Sequence, residues 1–321
     1  MQEPFVLLSG TANEALARSI ARNLGVDIAA CEIRRFPDGE VSIELGEPVR
    51  GHEVFLVQPT APPVDPNLVE LLALADACRR AAATRVTAII PYFGYARADK
   101  RLTRREPVTA RMVADLLQAV GIEHVVTVDL HTDQIEGFFH VPVDALTAVP
   151  TLCNALEDRL PDDVVVVAPD AGRVRMATRY ARQLHAPVVV LHKERKSGTE
   201  TAVAHIVGDV HSRACLIIDD MISTGETIGQ TIEALIGAGA REEMWVSATH
   251  GLLLDGSREK LASTAIREIV VTDTIAPRHT SWPGLHVVSV APLFAGALKR
   301  IHTDGSFNEL DRSARDDTRD R

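Results

Sequence analysis

Leu216, Ile217 and Ile218 form an unbroken apolar run that stops on two adjacent carboxylates, Asp219 and Asp220. Ser223, Thr224, Gly225 and Thr227 follow, and a helical apolar pattern then runs from Ile228 to Ile236. A strand with no polar face must be covered on both sides, the situation of a parallel sheet between two layers of helices. Strand followed by helix in this way predicts an α/β fold, whose ligands collect beyond the carboxyl ends of the strands.

The turn between that strand and helix has the composition of an anion site. Hydroxyls, a permissive glycine and the unsatisfied N–H groups of a helix start all favour a phosphate there. A phosphate with two acids a few ångströms away describes a sugar phosphate: the acids suit ribose hydroxyls and a magnesium ion, and the turn suits the 5-phosphate. An ordinary N-capped helix accounts for Ser223 and Thr224 but not for the paired acids before them. The residues match the ribose-phosphate loop of type I phosphoribosyltransferases and their relatives. Glu226 sets a carboxylate beside the expected phosphate and is therefore expected to point outward.

The chain repeats this plan. FVLLSGTANEALARSIARNLG (5–25) parallels VVVAPDAGRVRMATRYARQLH (165–185), and 46–94 parallels 208–251 in the same order. Duplication is the economical account, although two α/β domains also look alike by architecture alone. The expected division is 1–148 and 149–299, with 300–312 packing back on the first domain and a charged, frayed tail at 313–321. Where the second half carries its acids, the first has LVQPTAPPVDP, so only the second half can hold the sugar phosphate.

Composition narrows the partners. A formal net charge of −10 with no long basic run excludes nucleic acid or an anionic membrane surface as a partner of the whole molecule. Cys31, Cys78, Cys153 and Cys215 lie far apart without CxxC spacing, and MQEPFVLLSG has neither a basic flank nor a long apolar segment. These features read as a reduced, cytoplasmic protein. Neither a P-loop nor a dinucleotide-binding glycine fingerprint is present, so a nucleotide must be held differently.

Three segments of the first half offer that. RRFPDGEVSIELGE (34–47) has turn chemistry at Pro37, Asp38 and Gly39 followed by alternating apolar residues, a hairpin pattern. IIPYFGYARADKRLTRREP (89–107) brings two tyrosines, a phenylalanine and Arg97, Lys100, Arg101, Arg104 and Arg105 after a buried strand, suited to stacking a base and neutralising phosphates or to a solvated basic loop. VVTVDLHTDQIEGFF (125–139) places Asp129 and His131 at the end of a third apolar strand.

FPDGE, PYFGYAR, VDLH, PDAG, HKERK, VGDV, DDMISTG and THG stand in the order and at the spacing of ribose-phosphate pyrophosphokinases, which the chain resembles as far as about Leu310. The resemblance implies two tandem type I phosphoribosyltransferase-like domains, each a mainly parallel sheet flanked by helices. It also implies transfer of the diphosphoryl group of MgATP to the C1 hydroxyl of ribose 5-phosphate. By this likeness Phe36, Asp38 and Glu40 line an adenine pocket from a neighbouring subunit, which requires a homo-oligomer, a hexamer built from dimers. Arg97, Asp99, His131 and Asp144 bind ATP, and His131, Asp170 and Asp220 are the magnesium residues. Asp219 and Asp220 take the ribose hydroxyls together with a second magnesium, while Ser223, Thr224, Gly225 and Thr227 hold the 5-phosphate. Lys193 and Arg195 match the catalytic pair on a mobile loop, joined by His131.

Several positions depart from that pattern. Ala98 replaces a glutamine, Arg173 a second glycine after PDAG, Ser223 an aspartate, and Pro48 a serine tied to regulation by phosphate. Altered affinity, rather than loss of activity, is the expectation. A transferase that consumes phosphoribosyl diphosphate, and a noncatalytic subunit, are the competing readings; the first leaves the duplicated half without a use, and the second should have lost site residues that here remain.

Overall fold

A computed structural model describes residues 5–101, 103–195, 201–262, 265–277, 282–303 and 305, without the side chains of 193–195 and 201–204. Packing divides the described chain into two units. The first holds residues up to Thr147, the short stretch Thr274–Ala276, and the chain from Ser289 onward; the second holds Ala148–Asp273 and Pro277–Val288.

The first unit runs β1 (Val6–Ser9), α1 (Glu14–Leu24), β2 (Cys31–Arg35), β3 (Val41–Leu45), β4 (Glu53–Val57), α2 (Val64–Arg80), β5 (Arg85–Ile90), α3 (Thr109–Ala119), β6 (His124–Val128) and β7 (Val143–Leu146). The second runs α4 (Val149–Leu156), β8 (Val165–Ala168), α5 (Val174–Gln183), β9 (Val188–Arg195), β10 (Thr201–Val207), β11 (Cys215–Ile222), α6 (Glu226–Gly237), β12 (Met244–Gly251), α7 (Ser257–Lys260), β13 (Ile266–Thr272) and β14 (Leu285–Val288). Helix α8 (Ala291–His302) returns to the first unit.

Each unit is built on a mainly parallel sheet. The first has the order β1-β4-β5-β6-β7, all neighbours parallel, with β2 and β3 forming a separate antiparallel hairpin. The second has the order β10-β9-β8-β11-β12-β13-β14, in which β9 and β10 make the antiparallel pair. The apolar runs explain the central positions: all four residues of β8 and the first four of β11 are 0% exposed. Burial of that kind on both faces is what only a sheet sandwiched by helices supplies.

The expected end of the second domain at 299 is too late for α8. Phe294, Leu298 and Ile301 are buried, Lys299 Nζ donates to Asn23 O at 3.2 Å, and His302 Nδ1 lies 3.2 Å from Glu53 Oε2, all within the first unit. The helix's apolar face therefore completes the first core, and the boundary moves to about 289. The tail expected at 313–321 lies outside the described residues. Cys78, Cys153 and Cys215 are buried free thiols, and burial pushes Cys78 and Cys215 up to about 12. No helix among the described residues is long and apolar enough to cross a membrane.

Candidate active site

Strand β11 delivers the two acids. Asp219 is 8% exposed and Asp220 1%, and the Asp220 N–H donates to Asp219 Oδ1 at 2.9 Å. Strand β8 is hydrogen-bonded alongside β11, with Val167 opposite Ile217, so the turn after β8 opens beside the acids. There Asp170 Oδ1 accepts from Gly172 N at 2.8 Å and Arg173 N at 3.2 Å, closing a 3-10 turn that aims Arg173 across the sheet. Arg173 Nε reaches Asp219 Oδ1 at 3.0 Å and its Nη2 reaches Asp220 Oδ1 at 3.3 Å. Burial, and then the neighbouring Asp220 charge, push the Asp219 carboxyl well above the usual carboxylate range, while Arg173 pulls the other way.

The phosphate turn follows directly. Gly225 has φ +82°, a left-handed conformation, and a Cβ there would lie 2.8 Å from Leu261 Cγ, so both backbone and space call for glycine. No side chain caps α6, whose 12 residues begin at Glu226, which leaves the helix start open to an anion. Thr224 is exposed, and Ser223 and Thr227 are half-buried. Glu226 points outward as expected: its carboxylate accepts from Lys260 Nζ at 2.9 Å and Gln230 Nε2 at 3.1 Å.

In the first unit the hairpin forms as its pattern predicts. Phe36 N donates to Glu40 O at 2.8 Å across the turn, and Phe36, Asp38 and Glu40 are all exposed, the phenyl ring at 53%. Arg97 is exposed and His131 half-buried just beyond β6.

The aromatic residues before Arg97 do not serve as a stacking platform. Tyr92 and Phe93 are buried, Phe93 edge-on to Phe139 with ring centroids 6.0 Å apart, and the Tyr95 hydroxyl donates to Asp65. The chain after β5 turns inward because Gly94 lets it approach closely: its N–H donates to Thr60 Oγ1 at 2.6 Å, where a Cβ would meet Thr60 O at 2.5 Å. Tyr92 and Phe93 thus fill the core, Tyr95 packs half-buried against it, and the arginine is left outside.

Two of the expected ATP carboxylates are engaged within the chain. Asp99, 5% exposed, accepts from Thr132 Oγ1 at 2.7 Å and Gln134 Nε2 at 2.6 Å, tying down the segment that follows His131. Asp144 faces His124 Nε2 at 2.7 Å. It stands opposite Val126 in mid-strand, away from the carboxyl end of β6 where His131 lies. Both carboxylates thus have partners within the chain.

Comparison with known proteins then decides the family. Residues 5–121 match the N-terminal domain of ribose phosphate pyrophosphokinase, and residues 198–312 match the phosphoribosyl synthetase-associated domain. The ribose-phosphate pyrophosphokinase of Caldanaerobacter subterraneus subsp. tengcongensis is 44% identical over 306 residues, covering 95% of this chain and 96% of the relative. That of Thermotoga maritima is 41% identical over 308 residues, covering 95% and 97%. The chain belongs to the ribose-phosphate pyrophosphokinase family. A crystal structure of phosphoribosylpyrophosphate synthetase from Mycobacterium smegmatis superposes with a TM-score of 0.88 at 40% identity, covering 94% of this chain and all of that one.

Within this pyrophosphokinase, the expected residues fall into groups. Asp170, Asp219 and Asp220 are gathered in the second unit, linked through Arg173, and the phosphate turn follows Asp220 along the chain. Lys193 and Arg195 lie on β9, opposite Val203 and Thr201 of β10, with their side chains outside the described residues. Two residues were missed in the sequence. Arg173 was noted as a departure, but nothing local says that it reaches β11. Glu70 of α2 is fully buried and accepts from Thr11 N at 2.7 Å, Gln58 Nε2 at 2.9 Å and Arg35 Nη2 at 2.7 Å. Its signal was available: Asn67, Glu70, Leu71 and Leu74 share one helical face, which is buried.

Proposed function

We propose that this chain transfers the β,γ-diphosphoryl group of ATP to the C1 hydroxyl of ribose 5-phosphate. The observation that carries the reading is the buried acid pair in the carboxyl-terminal half of β11, a short turn ahead of a helix whose N-cap, Gly225, has no side chain to cap it. In the reaction the C1 oxygen bonds to the β-phosphorus and the bond from that phosphorus to the α,β-bridging oxygen breaks. AMP leaves with the bridging oxygen, and the hydroxyl proton is released.

A nucleophile approaching so charged a centre needs position and neutralisation more than covalent help. The open start of α6, with Ser223, Thr224, Gly225 and Thr227, holds the 5-phosphate, and the acids of β11 accept from the ribose hydroxyls. Arg97 binds the ATP phosphates, and His131 lies near them. Lys193 and Arg195 stabilise the charge that develops on the transferred group. Phe36, Asp38 and Glu40 complete the adenine pocket of a neighbouring copy, which makes the enzyme a homo-oligomer, a dimer-based hexamer, working in the cytoplasm.

Magnesium bound with substrate keeps much of its shell as phosphate oxygens and water, so it asks few ligands of the protein. Asp170 is an oxygen donor suited to it, and the ion supplies neutralisation of polyphosphate charge. A second magnesium at Asp219 and Asp220 does not fit in the same way, because the Arg173 guanidinium already sits on both carboxylates.

The test is a product assay on purified protein with ATP, ribose 5-phosphate and magnesium, over a range of inorganic phosphate concentrations. AMP, not ADP, is expected. No AMP at any phosphate level sinks the reading, and base-dependent consumption of phosphoribosyl diphosphate would replace it.

A further inference from the structure

We propose that Arg173 is a resident cation that takes the place of a sugar-side magnesium, so that ribose 5-phosphate binds to the acid pair without a divalent ion. The inference rests on the reading of that site given above. Adjacent carboxylates that are 8% and 1% exposed need a counter-charge, because their mutual repulsion is weakly screened away from water. A guanidinium meets the need in a form suited to it. Its planar fork lets Nε serve one acid while Nη2 serves the other.

The cation is also built in. Its backbone N–H is held by Asp170 Oδ1 at 3.2 Å, its side chain is only 12% exposed, and β8 runs beside β11. A magnesium ion entering between the acids would have to expel this guanidinium from both carboxylates. Ribose hydroxyls have no such conflict. They are neutral donors, and a carboxylate that accepts from a guanidinium can also accept from a hydroxyl. Arg173 is thus a positioning residue: it orients the two acids for the sugar while occupying the place of a competing metal.

The experiment is calorimetric titration of ribose 5-phosphate into the full chain, without nucleotide, in EDTA and in magnesium, for the wild type, Arg173→Gly and Arg173→Lys. Manganese binding by water-proton relaxation is followed in parallel. The wild type should bind ribose 5-phosphate equally within about twofold in the two buffers, and should show no manganese site competed by the sugar. Arg173→Gly should lose on the order of tenfold or more in EDTA and regain it with magnesium, together with a new manganese site. Arg173→Lys, a point charge that cannot bridge as a fork does, should fall between. Wild-type binding that disappears in EDTA and returns with magnesium overturns the proposal, whatever the variants do. So does an Arg173→Gly protein that keeps its fold by circular dichroism and binds like the wild type in EDTA. No ribose 5-phosphate binding in either buffer would overturn the assignment of the site itself, a result distinct from the other two.

Discussion

Glu226 stands at the first position of α6, where a carboxylate turned toward a bound phosphate would repel it. Lys260 and Gln230 hold it outward, and the Lys260 ammonium, ahead of Gln230, keeps its carboxyl below the usual range. Glu226→Gln should therefore change the KM for ribose 5-phosphate by no more than about twofold, in line with the small effect of exposed ion pairs. A KM that improves markedly would show the charge facing the phosphate instead. Lys193 and Arg195 call for the opposite pattern. Replacing either by alanine should lower kcat by about a hundredfold or more while ATP affinity, measured by equilibrium binding, changes far less. Equal losses in both would assign these side chains to ground-state binding. At this scale the sequence was legible where chemistry is local: the acids, hydroxyls and glycine all fall between Asp219 and Thr227. It was silent about Arg173, whose partners are brought beside it by a strand order that no run of neighbouring residues encodes.

Among the elements, α2 and the β2–β3 hairpin are joined by one buried acid. Arg35, the last residue of β2, binds Glu70 directly before exposed Phe36, so the hairpin is fastened at the last pair before its turn while the turn itself is exposed. Glu70→Ala strands the donors of Thr11, Gln58 and Arg35 and should cost about 3–5 kcal/mol, read from urea unfolding. A loss under about 1 kcal/mol would mean that water satisfies them instead. Strand assignment from apolar runs succeeded because full burial leaves no polar alternation to confuse it, as in β8 and β11. The segment after β5 misled for a related reason. Tyrosines mixed with arginines look like a binding loop, yet Tyr92 and Phe93 precede the point where the chain leaves the core and Arg97 follows it. A side chain's neighbours in sequence do not say on which side of that exit it lies.

Across the whole molecule, the exposed hairpin tip carries a prediction about assembly. If Phe36 completes a neighbour's nucleotide site, mixed oligomers of Phe36→Ala and Lys193→Ala chains should recover activity that neither variant has alone, because some sites then receive both intact parts. Absence of recovery after subunit exchange has been confirmed by native mass spectrometry would place hairpin and loop in one subunit's site. Helix α8 carries another. Phe294 is fully buried in the first unit, so Phe294→Ala should destabilise by about 3–5 kcal/mol. Hydrogen exchange should report the loosening in α1 rather than in β11 or β12.

That return of α8 to the first unit also sets an order of events on the ribosome. Synthesis proceeds from the amino end, and domains generally fold as units as they emerge. Here the unit begun first lacks its last helix until Ala291–His302 has been made, whereas the unit begun second has all its strands by Val288. The nascent chain must therefore carry an unfinished first unit, with the surface meant for α8 uncovered, throughout the synthesis of the second.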